Sequence, residues 1–235
     1  MGKNLIQQRR GKGTPKYKAP SHRYAGEVKH PVGDEIGTVK DVIHSVGHSA
    51  PLMEISTSGG QTILGFAPEG IKVGQEVMMG SSVPVADGNV LSLKDIPEGT
   101  LIHNIELRPG DGGKLVRAAG TFARVVAKTE TEIKVKLPSR KEKSFLPDCR
   151  ASIGTVAGAG RLEKPILKAG TMHMKMAARN KLFPVVSGIS MNAVDHPFGS
   201  SSSHSKGRPT QAARSAPPGR KVGKLAPRRT GRRKL

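Results

Sequence analysis

Short apolar runs that alternate with polar residues, punctuated by glycine and proline, dominate the middle of the chain. In "EIKVKLP", Ile133, Val135 and Leu137 alternate with Lys134 and Lys136, which puts three apolar side chains on one face of a strand and two ammonium groups on the other. The runs "IGTVKDVIH", "PLMEIST", "QTILGF" and "QEVMMG" make a first β series, broken by "SGG" and "APEGIKVG", where glycine supplies the positive φ angles that turns require. They predict a small antiparallel barrel from about Ile36 to Val83. After "PVADGN" a second series follows: "VLSLKDI", "GTLIHNIEL", "KLVRAAG", "ARVVAKT", "EIKVKLP", "KSFLP" and "ASIGTVAG". Turns recurring about every 8 to 12 residues suit a second small barrel. Neither would be large enough to enclose an active-site cavity. Beyond them, "EKPILKAGTMHMKMAARN" predicts a short helical stretch after Gly170, although Met172, Met174 and Met176 step by two and so share no helix face.

The two ends lack either period. "QQRRGKGTPKYKAPSHRYAGEVKHP" and "SKGRPTQAARSAPPGRKVGKLAPRRTGRRKL" mix Arg and Lys with Gly, Pro and Ser, and cannot bury enough apolar surface to fold alone. They read as extensions that order on a partner. Charge sharpens this division. Residues 1–30 carry net +7, residues 31–110 net −6, residues 111–195 net +9 and residues 196–235 net +11, giving +21 for the 235-residue chain. Only 35% of the chain is apolar and 3% aromatic, with no tryptophan. So basic a chain repels itself until a polyanion neutralises it, which points to nucleic acid.

A membrane surface would also attract positive charge, but it calls for a basic amphipathic helix or a lipidation signal. Neither is present: the Met-Gly start has Ile6 where myristoylation expects Ser or Thr. No apolar run reaches the ~18 residues of a membrane span. With no signal-peptide pattern, a cytoplasmic location is expected. A single cysteine, Cys149, excludes an internal disulfide and a Cys-rich zinc site.

The phosphate-binding candidates are Arg9, Arg10, Lys12, Lys16, Lys18 and Arg23 near the start, and Arg214, Arg220, Lys221, Arg228, Arg229, Arg232 and Arg233 near the end. Guanidinium forks hold phosphate oxygens bidentately, and intervening Pro and Gly keep the chain extended. Tyr17 and Tyr24 could stack on unpaired bases or anchor the N-terminal barrel. "GTVAGAGRLEKP" lacks the Gly-Lys-Ser/Thr ending of a phosphate-binding loop. Its glycines either let the backbone press on RNA, with Arg161 and Lys164 on phosphates, or simply make barrel turns. "HSVGH" spaces His44 and His48 by four, but no acid or cysteine completes a metal set, and no metal or other cofactor is predicted.

"MNAVDHPFGSSSS" is the sharpest motif. Asp195 is expected to accept from the amide two residues on, and Pro197 biases His196 toward an extended backbone that displays its imidazole for a base or phosphate. The plainer alternative is a turn histidine. An Asp-His-Ser triad is disfavoured, because adjacent side chains of an extended segment point to opposite sides and no Gly-x-Ser-x-Gly elbow is present.

In order, "GTPKYKAPSHRY", "GTVKDVIHSVGHSAPL", "LSLKDIPEGTLIHNIELRPGDGGKLVRAAGTFARV", "GTVAGAGRLEKPILKAG", "MNAVDHPFG" and "PPGRKVGKLAPRRTGR" resemble the universal large-subunit ribosomal protein two family, in its archaeal and eukaryotic form. The resemblance runs from end to end. It implies a mainly β fold with an OB-fold-like barrel over residues 36–84 and an SH3-like barrel over 85–168. Basic extensions would flank them over 1–35 and 169–235. It further implies that the extensions thread into large-subunit ribosomal RNA near the peptidyl-transferase region. Other ribosomal proteins would be neighbours, and transfer RNA and the small subunit would be served indirectly. Asn192, Val194, Asp195, His196, Pro197 and Gly199 match the family's loop, whereas Ala193 stands where proline is usual and Ser200 to Ser203 replace a glycine run. The competing readings are a nucleic-acid chaperone outside the ribosome, or a hydrolase or transferase using Asp195 and His196.

Overall fold

The alternating middle of the chain becomes ten strands: β1 Glu35–Ile43, β2 Leu52–Thr57, β3 Thr62–Phe66, β4 Glu76–Gly80, β5 Val90–Ser92, β6 Leu101–His103, β7 Ala123–Lys128, β8 Ile133–Lys136, β9 Glu142–Phe145 and β10 Arg150–Ile153. This computed structural model describes residues 2–31, 33–81, 83–200 and 205–229. Hydrogen bonding joins the strands in the order β3-β2-β1-β4-β5-β10-β6-β7-β8-β9. The fold is therefore mainly β. The two predicted series are joined edge to edge where β4 runs parallel to β5, pairing Met79 with Val90 and Gly80 with Leu91. Neighbouring pairs elsewhere in this sheet are antiparallel. Among the described residues no ladder closes β3 onto β9.

Alternation sets the core. Ile133 and Val135 are buried while Lys134 and Lys136 are exposed, as the pattern of β8 requires. They pack with Leu91, Ile102, Ile105, Val125, Ala151, Ile153 and Cys149. The first series builds its own cluster around Val39, Met53, Ile55, Val77 and Met79. A third cluster ties the halves together, setting Val28, Leu52 and Phe66 against Ala119 and Val156.

Two departures from the sequence expectation have local causes. "KLVRAAG" forms no strand; it contributes a single bridge, Leu115 to Ile105, because the chain turns through Val116 at φ 55°. Residues 27–30, placed in the N-terminal extension, alternate exposed Glu27 and Lys29 with buried Val28 and His30 and lie on the β core.

The chain divides into two compact units, Ser21–Ile166 and a unit made of both ends, Met1–Pro20 with Leu167–Leu235. The second of these carries α1 Ile6–Gly11, α2 Ala169–Ala178, and a two-residue parallel pair, β11 Gln211–Ala212 with β12 Lys224–Leu225. Helix α2 covers the stretch that the sequence marks as helical. Helix α1, which composition does not predict, begins where the Gln8 side chain accepts the Leu5 N–H at 2.8 Å. It ends on Arg9 and Arg10, which suit the negative end of its dipole. Among the described residues no helix is long and apolar enough to cross a membrane.

Candidate nucleic-acid interface

The loop Met191–Gly199 is built by its own backbone. The Asn192 carbonyl accepts from the N–H of Asp195 at 2.9 Å and of His196 at 3.2 Å, and the His196 carbonyl accepts from Gly199 at 2.8 Å. Gly199 passes so close that a Cβ there would lie 2.2 Å from the Asn192 oxygen. Asp195 does not cap the loop as the sequence suggests, because the residue two positions on is Pro197, which has no N–H. Its carboxylate instead pairs with Lys3 at 3.4 Å, while the Lys3 N–H donates to the Val194 carbonyl at 2.9 Å.

His196 is half-buried. Its Nδ1 accepts the Phe198 N–H at 3.0 Å, its ring lies 5.2 Å from that of Phe198, and its edge rests on Gly188, where a Cβ would approach it to 2.4 Å. Burial pulls its pKa below the ordinary histidine value. An Nδ1 that accepts from a backbone amide carries no proton, so the ring proton sits on Nε2. That leaves Asp195 no Nδ1–H to orient, unlike the carboxylate of a hydrolytic triad. The imidazole is thus a packed part of the loop with one nitrogen committed.

The basic candidates of this unit are displayed to solvent. Arg9, Arg10, Lys12, Lys16, Lys18, Arg214, Arg220, Arg228 and Arg229 are exposed and Lys221 is half-buried. The turn at Pro15–Tyr17 is clasped by Asn180, whose side-chain amide donates to the carbonyls of Pro15 at 2.9 Å and Lys18 at 2.8 Å. Gln7 donates to the Lys221 carbonyl at 2.7 Å, holding α1 to the C-terminal arm. Lys3, Gln8, His196 and Arg208 line one recess of about 340 Å³. Arg232 and Arg233, and three of the four serines, lie outside the described residues.

In the β unit, Arg23, Arg161 and Lys164 are exposed. The Tyr24 ring lies against Gly47 and meets His48 edge-on at 6.3 Å, an anchoring position on the first strand series. His48 in turn contacts Ser45 through Nδ1 at 2.8 Å, and His44 is exposed; among the described residues no group of His, Cys, Asp or Glu is arranged to hold a metal ion.

Sequence reasoning missed the buried charges that shape this unit. Glu106 is wholly inaccessible, and its carboxylate accepts the N–H groups of Gly110 at 3.2 Å, Gly112 at 3.1 Å and Arg150 at 2.9 Å, with the Arg150 guanidinium 3.4 Å away. Four donors offset the cost of taking the charge out of water. Asp111 accepts from Leu107, Arg108 and Gly113, so "LRPGDGG" is a preformed loop with Arg108 exposed. Arg117 donates to the carbonyls of Gly113 and Val28, each at 3.1 Å, and covers the Phe66 ring at 5.0 Å. His30 sits 2.7 Å from the Asn104 carbonyl, and burial lowers its pKa to about 4. The available signal was the Val28-x-His30 alternation; a lone Glu among "IEL" offers none.

A family model described as Ribosomal Proteins L2, C-terminal domain, matches residues 86–217. The chain is 50% identical over 240 residues to a large ribosomal subunit protein uL2 of Methanococcus vannielii, covering 99% of this chain and all of that protein. It is similar at 47% identity over 241 residues to the protein of the same name from Methanothermobacter thermautotrophicus, with both covered completely. Methanococcoides burtonii has another, 48% identical over 237 residues, with 99% of this chain covered.

Proposed function

Because this chain belongs to the ribosomal protein L2 family and is a structural component of the large ribosomal subunit, we propose that it neutralises and wedges ribosomal RNA with the unit built from its two ends while the β unit holds the points where those ends emerge. The observation that carries this reading is the full-length likeness to large-subunit proteins together with the placement of charge. The end unit gathers exposed Arg9, Arg10, Lys12, Lys16, Lys18, Arg214, Arg220, Arg228 and Arg229 on a framework with little buried apolar surface. Such a framework suits docking between RNA helices, where backbone and guanidinium groups reach phosphates and give affinity with a steep salt dependence.

In this reading residues 36–84 and 85–168 act as two joined small-barrel platforms. The Asn192 to Gly199 loop supports the RNA fold near the peptidyl-transferase region, with Nε2–H of His196 as its donor. Tyr17, Arg23, Arg161, Lys164, Lys221, Arg232 and Arg233 complete the RNA-facing set, and Tyr24 serves it indirectly by fixing the point where the N-terminal segment leaves the β core. Subunit association and transfer-RNA placement follow through the RNA that the chain shapes. The chain performs no reaction itself: the committed Nδ1 of His196 and the pairing of Asp195 with Lys3 favour a scaffold over a proton relay.

Sedimentation tests this. The tagged full-length chain should travel with large subunits and leave them only at high salt; recovery as a free small particle would refute the reading. His196→Ala should impair subunit assembly or peptide-bond synthesis by whole ribosomes, and the RNA-free chain should hydrolyse nothing.

A further inference from the structure

The β unit carries a second feature, away from the His196 loop in the chain. A groove of about 660 Å³ opens on the outer face of β7 and β8, within the range of ligand pockets, ~300–1,000 Å³. Its floor is apolar. Phe122 is 44% exposed, and Val126 shares the outward face of β7 with Arg124 by ordinary alternation, at the point where the register shifts between Val125 and Ala127. Leu137 and Pro138 complete the floor from the other side.

The walls are cationic in excess of the carboxylate the fold sets beside them. Arg124 and Lys136 stand directly opposite each other across the β7–β8 ladder, an arrangement that repels. Arg140, in the following turn at φ 65°, adds a third positive charge, and the one carboxylate in the lining, Glu142, stands opposite Lys136 across the β8–β9 ladder, so three cations face a single acid. The ion pairs among the described residues involve none of these three cations. An exposed phenyl ring beside two facing cations has two requirements, an apolar planar group and an anion about one side-chain length away. A nucleotide extruded from a helix supplies both: every base has a π-face to stack, and its flanking phosphates would relieve the Arg124–Lys136 repulsion. A peptide would need a carboxylate cluster next to an aromatic to do the same.

We propose that this groove takes one unpaired nucleotide of ribosomal RNA, its base stacked on Phe122 over Val126, Leu137 and Pro138 and its phosphates held by Arg124, Lys136 and Arg140. The proposal rests on the RNA-scaffold reading but concerns a surface that reading does not need.

A photocrosslink in assembled particles tests it. Phe122 is replaced by a benzophenone-bearing phenylalanine in the full-length chain, large subunits are purified, and the crosslinked partner is mapped after irradiation. The expected product is a single unpaired ribosomal RNA nucleotide. A crosslink to another ribosomal protein, or no RNA product from particles that contain the chain, overturns the groove assignment and leaves the scaffold reading standing. Absence of the chain from large subunits defeats the scaffold reading itself, and with it the premise of the groove. A second measurement avoids particle assembly: an RNA hairpin with one bulged 2-aminopurine, saturated with the full chain. Its fluorescence should be quenched, and Phe122→Leu should abolish most of that quenching while a fully paired duplex of the same length binds unchanged. Quenching retained in Phe122→Leu overturns the proposal.

Discussion

The β unit and the unit made from the two ends solve opposite problems. The β unit builds three apolar clusters and takes selected polar groups out of water with them: Glu106 is fully inaccessible among four donors, and His30 is buried against a carbonyl. The end unit does the reverse. Among its described residues Leu5, Phe198 and Ala212 are the buried apolar ones, and it is held by backbone turns and side-chain clasps such as Asn180 on Pro15 and Gln7 on Lys221. One region is stabilised by excluding solvent and thus tolerates no loss of a buried partner. The other keeps its cations hydrated and spread, and its most favourable charge interactions await a polyanion.

Removing Glu106 breaks the comparison hardest. Glu106→Ala leaves the Arg150 guanidinium and the Gly110 and Gly112 amides without their acceptor, and should cost about 3–5 kcal/mol in urea denaturation of the full chain. No single cation of the end unit should approach that. Acid comes next. With a folded pKa near 4 against an ordinary 6.5, His30 stays neutral in the native state while the unfolded chain takes up a proton. Stability is therefore complete above pH 6.5 and falls as pH drops toward 4, by about 3 kcal/mol from this group. Buried His103 is shifted in the same direction, so it adds to the slope. Denaturation midpoints between pH 7 and 5 check this, and His30→Gln should flatten the dependence.

Gly188→Ala sharpens the contrast from the other side. Its Cβ would drive the His196 ring away at a local cost of about 1–3 kcal/mol. It should reduce incorporation into large subunits while leaving the unfolding of the β unit unchanged. The smallest effect on stability belongs to Arg228→Gln with Arg229→Gln. Both residues are exposed, so the midpoint should hold, while the slope of log affinity for duplex RNA against log salt should lessen by about 2.

Much of the fold was legible because alternation and burial are the same fact seen twice. "EIKVKLP" and "PLMEIST" became β8 and β2, and the helical stretch after Gly170 became part of α2. "KLVRAAG" misled because a short apolar run such as Leu115-Val116 cannot register that the chain turns at Val116. At the His196 loop, the motif located a compact segment but misjudged its bonding. A carboxylate two residues before proline cannot make the bond proposed for it, and the partner that it does find, Lys3, lies 192 positions away in the chain.

What the sequence by itself determined was the polyanionic partner, the β class of the middle and the family, since these depend on composition, period and ordered motifs that need no coordinates. Only the tertiary structure decided that the two basic ends form one unit, that Val28 and His30 belong to the core, that Glu106 organises a loop, and that Arg124 and Lys136 face each other beside Phe122. Most of those depend on contacts between segments that the chain brings together only on folding, and local pattern carries no record of which donor a folded backbone will bring to which acceptor.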